Sequence, residues 1–74
     1  MTWDEFVKEA QKRGGKLIFG NIMFEKRDGY IKTELVFCED GMVFVTETAC
    51  QDIVICKNRS LEQLFTIMKG VFDD

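Results

Sequence analysis

Residues 22–48 read IMFEKRDGYIKTELVFCEDGMVFVTET, and their period of two decides the fold. Two dipeptides punctuate the stretch, Asp28-Gly29 and Asp40-Gly41. Each is a hairpin signal of the type I′ kind, because both central positions of that turn need positive φ. Around them β-branched and aromatic residues alternate with polar ones, the pattern of half-buried strands. Strands are therefore expected over residues 16–27, 30–39 and 42–48. Residues 52–57 are expected to add a fourth, short strand. Gly20-Asn21 interrupts the first strand and predicts a bulge or bend, with a third tight turn as the alternative.

Counting outward from the two turns assigns the faces of the sheet. The first turn pairs Glu25 with Lys32, a favourable cross-strand charge pair. The second pairs Phe37 with Phe44, Val36 with Val45, and Glu34 with Glu47. One face then carries Ile22, Phe24, Ile31, Leu35, Phe37 and Phe44, and is the expected core face. The other face is polar at one end, with Glu25, Arg27, Tyr30, Lys32, Glu34 and Glu47. Its other end is apolar, with Met23, Val36, Cys38, Val43 and Val45. An open antiparallel sheet ordinarily alternates apolar inside with polar outside. The apolar end therefore calls for a cover, supplied by residues 49–57 folding over it, by the sheet curling around itself, or by a second molecule.

Outward from the strands, both ends of the chain read as helices. Thr2 to Arg13 opens on the capping box Thr2–Glu5 and carries Trp3, Phe6, Val7 and Ala10 on one stripe. Gly14-Gly15 supplies its left-handed stop. The second helix, Ser60 to about Phe72, opens on Ser60–Gln63 and carries Leu61, Leu64, Phe65, Met68, Val71 and Phe72. Gly70 lies on its polar face, where fraying is expected. Asp73-Asp74 has the wrong sign for the helix dipole, and the tail is expected to be disordered. The expected fold is α+β: an antiparallel meander of three to four strands with two helices on one face, in the order α-β-β-β-(β)-α.

Composition bounds the function. The chain has 74 residues, 46% hydrophobic and 31% charged, with a formal charge of −3. That describes one small domain with enough apolar content for a core. Histidine is absent, which removes imidazole catalysis, imidazole metal ligation and a histidine pH switch. The three cysteines, Cys38, Cys50 and Cys56, are an odd set without CxxC spacing, so free buried thiols are expected rather than disulfides or zinc. The acidic start, Met1-Thr2-Trp3-Asp4-Glu5, is unlike a signal peptide, and no apolar run approaches a membrane span. The expectation is a cytoplasmic, non-catalytic chain without a cofactor.

What remains is binding. The surface residues proposed for protein contact are Met23, Val36, Cys38, Val43 and Val45, most simply in a homodimer. Acidic contact candidates are Glu25, Glu34, Glu39, Asp40 and Glu47. Small acidic domains of this shape are similar in style to phage or mobile-element inhibitors that block a nucleic-acid site on an enzyme. The alternative is a nucleic-acid-binding module using Lys26, Arg27, Tyr30 and Lys32, a basic patch with a stacking aromatic. The order helix, three-strand meander, helix resembles that of double-stranded RNA-binding domains in topology. Those domains grip phosphates with a lysine-rich start to the second helix, where this chain has Arg59-Ser60-Leu61-Glu62. The scattered cations and acidic balance favour a protein partner over nucleic acid.

Overall fold

The computed structural model describes residues 1–48 and 52–73. Helix α1 (Trp3–Lys12) leads into a five-stranded antiparallel sheet, which helix α2 (Leu61–Phe72) follows. The strands are β1 (Lys16–Ile18), β2 (Asn21–Asp28), β3 (Ile31–Phe37), β4 (Val43–Glu47) and β5 (Ile53–Cys56). They lie in the sheet in chain order, a pure meander. The fold class is the expected α+β with two helices on one face, with one strand more than the three to four foreseen. The extra strand arises at Phe19-Gly20, where both residues have positive φ and make a tight turn rather than a bulge.

Both helices start as their sequences dictate. The Thr2 hydroxyl accepts from the Glu5 amide, and the Glu5 carboxylate accepts from the Thr2 amide. These bonds hold the Glu5 carboxyl below its ordinary value. Ser60 and Gln63 repeat the arrangement at α2. Helix α2 runs through Gly70 to Phe72 without interruption.

The C-terminal tail corrects the expectation at Asp73. Rather than being disordered, Asp73 caps α2, and its two carboxylate oxygens accept from Arg13 Nε at 2.8 Å and Nη2 at 2.6 Å. Arg13 also donates to the Glu9 carboxylate. The guanidinium thus offsets the unfavourable dipole term. Asp74 lies outside the described residues.

The core sits between the helices and the inner face of the sheet. Phe6, Ala10, Ile22, Phe37, Val43, Leu64 and Met68 are fully buried there. Phe24 closes one side, edge-on to Phe37 and stacked on Phe72 at 4.2 Å. Gly15 is glycine because a Cβ would press into the Phe24 ring.

The hairpins decide which side chains face that core. At the first, Gly29 has positive φ and Tyr30 does not, so the turn is Gly29-Tyr30. The register moves by two residues and every face is preserved: Ile22 lies opposite Phe37 and Phe24 opposite Leu35. At the second, Glu39, Asp40 and Gly41 form a three-residue loop. Cys38 N donates to Met42 O, Gly41 N donates to Cys38 O, and Asp40 accepts from Met42 N. This is a turn followed by a left-handed glycine, and it shifts the register by one. A one-residue shift turns every side chain of β4 over. Val43, Val45 and Glu47 consequently share the inner face with Phe37, Leu35 and Thr33, while Phe44 moves to the outer face beside Val36.

Candidate interaction surface

Among the described residues the outer face carries no helix, and β5 extends the sheet instead of folding over it. Residues 49–51 of the proposed covering segment lie outside the described residues, as does Cys50. The remainder, residues 52–57, leaves the outer face open. Register separates that face into the two ends expected, with a changed membership.

At the polar end, Glu25 lies opposite Glu34, not Lys32, and Arg27 lies opposite Lys32. Like charges face each other in both pairs, and opposite charges two residues along each strand, with one diagonal contact, relieve them. Arg27 Nε donates to Glu25 at 3.0 Å, and Lys32 Nζ sits 3.5 Å from Glu34 and 4.0 Å from Glu25. The result is a neutral quartet of two cations and two carboxylates.

That quartet reorganises both charged candidate sets. The pairing of Glu34 with Glu47 does not form, because Glu47 lies opposite Thr33 on the inner face. Glu39 and Asp40 belong to the loop at the opposite end of the sheet. The five acidic candidates therefore do not share one surface. Among the basic candidates, Lys26 is opposite Thr33 on the inner face, away from Arg27 and Lys32. Tyr30 stands fully exposed at the tip of its turn.

At the apolar end, Met23, Val36, Phe44 and Val54 form one cross-strand row over β2, β3, β4 and β5. Val36 is buried within this row, although no second layer covers it among the described residues. Cys38 closes β3 at the same end and is also buried. Burial, with a smaller contribution from the Asp40 carboxylate, pushes its thiol pKa up, away from a reactive thiolate. Val43 and Val45, two of the five proposed contact residues, face the core side instead, for the register reason given above. Phe44 takes their place.

Sequence reasoning missed Phe19. It tips the β1–β2 turn at φ +50° with its side chain 99% exposed. A bulky residue with positive φ is a strained exception. Phe19, Asn21, Cys38, Met42 and Phe44 line a groove of about 570 Å³ across this end. The signal was present in the sequence: reading Phe19-Gly20 as a turn leaves a large aromatic with nowhere to be buried.

Two further observations concern chemistry. Among the described residues no cluster of three or more Cys, Asp and Glu side chains is placed to hold a metal ion. No helix among the described residues is long and apolar enough to cross a membrane. Comparison with protein-family models, with curated proteins and with solved structures finds no match.

Proposed function

We propose that this chain is a protein-interaction domain that acts by contact rather than catalysis and self-associates through its sheet. The observation that carries this reading is the cross-strand apolar row Met23, Val36, Phe44 and Val54, in which Met23 and Phe44 are half-buried and Val54 exposed around a buried Val36, with the exposed Phe19 beside it. An apolar row in register over four strands, with no second layer over it among the described residues, is a candidate contact surface. A strained, fully exposed aromatic next to a groove has the character of an interface anchor. The neutral quartet favours a protein over nucleic acid, because Arg27 and Lys32 already have carboxylate partners and would lose them to phosphate.

Sedimentation equilibrium tests the reading over about 1 μM to 1 mM protein, which brackets weak to moderate self-association. Twice the chain mass is the expected value at the upper end. The chain mass at every concentration would overturn self-association.

A further inference from the structure

We infer that β5 is a self-pairing edge, at which a second copy of this chain adds its own β5 antiparallel to form one continuous ten-stranded sheet, five strands from each copy. This deepens the proposed self-association and rests on it by naming the element through which the copies meet.

Among the described residues, strand β5 pairs with β4 on one side only. Its other side presents a row of backbone donors and acceptors, a template for a further strand. Natural edges are commonly blunted by charge, proline or brevity. The four residues of β5, Ile53-Val54-Ile55-Cys56, include no charge and no proline. Ile53, Val54 and Ile55 are 61%, 45% and 54% exposed. The opposite edge, β1, has three residues and starts on Lys16.

The charges that flank β5 select the occupant. Asp52 precedes the strand and Lys57 follows it, and both are exposed. Two copies related by a two-fold axis perpendicular to the sheet run antiparallel along this edge. In the register that centres the axis on the middle of β5, each Asp52 comes beside Lys57 of the other copy, so the strand is its own electrostatic complement. Parallel addition would place like charges together.

The edge also has room for side chains. A bulge opposite Val43 and Phe44 puts the extra residue Ile55 into β5. Ile55, Cys56 and Ile67 line a groove of about 570 Å³ between the strand and α2. Residues of the added strand that face the helical layer fall into this groove.

Sedimentation of variants of the full chain separates the possibilities. Ile53→Lys with Ile55→Lys imitates a natural edge block at exposed positions and is expected to give a monomer. Asp52→Lys and Lys57→Asp singly are each expected to weaken the dimer about tenfold, since every interface contains the pair twice. The double exchange is expected to restore wild-type association, a readout that survives even if the lysine pair disturbs folding. A dimer untouched by the β5 substitutions, or a double exchange no better than the singles, would overturn the edge assignment. If Met23→Glu with Phe44→Glu dissolves the dimer while the β5 variants do not, self-association stands and the edge inference falls. A wild-type monomer overturns both.

Discussion

The two edges of the sheet are built on opposite principles. At β1 the strand is short, opens on Lys16, lies against α1 and ends at once in the Phe19-Gly20 turn. At β5 the strand is wholly apolar and open along its free side. The first edge follows the usual rules for keeping a sheet closed to further pairing, and the second, though short and bulged, carries no charge and no proline within the strand. Edge protection is a local property of a few residues rather than of a fold, and one meander can be closed on one side and open on the other.

Two turn glycines, Gly41 and Gly20, give the largest expected contrast. Gly41 has φ +96°, and a Cβ there would fall into the backbone of Arg59, whose amide donates to Gly41 O. This contact ties the β3–β4 loop to the segment joining β5 and α2. Gly41→Ala is expected to cost about 2 kcal/mol or more, from combined backbone strain and overlap. Gly20, on the β1 side, has φ +81° with open space around it. Gly20→Ala is expected to cost only about 1 kcal/mol, the backbone contribution alone. Urea unfolding of both variants checks the difference, and equal losses would contradict it.

A smaller change is expected at the tip beside Gly20. Phe19→Asn replaces a bulky side chain at positive φ with one that tolerates that conformation. Stabilisation of about 0.5 kcal/mol is expected, read as a raised melting temperature. A lowered melting temperature would mean that Phe19 makes stabilising contacts in the isolated molecule.

The smallest effect concerns the anchor just before β1. Arg13 holds the Asp73 and Glu9 carboxyls below their ordinary values. A carboxyl whose folded pKa is depressed contributes stability above its unfolded pKa. That contribution is lost as pH falls through the ordinary range toward the folded value. Asp73→Asn is therefore expected to reduce stability slightly at neutral pH and to flatten its fall in acid. Thermal unfolding between about pH 2 and pH 7, the range over which such carboxyls titrate, compares the two proteins. Parallel curves would show that the ion pair is energetically silent.

How much of this was legible in the sequence depended on the number of residues in each turn. The helix starts were readable because a capping box is local: Thr2 with Glu5 and Ser60 with Gln63 specify their own hydrogen bonds. The β2–β3 register was two residues off, yet its faces were right, because a step of two preserves side-chain direction. At Asp40-Gly41 the same turn signal hid a three-residue loop, and that single residue moved Val43 and Val45 into the core and Phe44 out of it. Glycine reports positive φ but not how many residues precede it in the loop. The Arg13–Asp73 pair was illegible for another reason: it joins residues sixty apart in sequence, which only tertiary packing brings together. The apolar end of the outer face survived the register error because Met23, Val36 and Cys38 belong to strands whose faces were preserved.

Hydrogen exchange of the backbone amides on the free side of β5, followed at low and high protein concentration, tests the open edge most directly. Pairing with a second copy should protect outward-facing amides within Ile53–Cys56 as concentration rises, while those of Lys16–Ile18 keep one rate throughout. Exchange from β5 that is equally fast at every concentration would contradict the self-pairing edge.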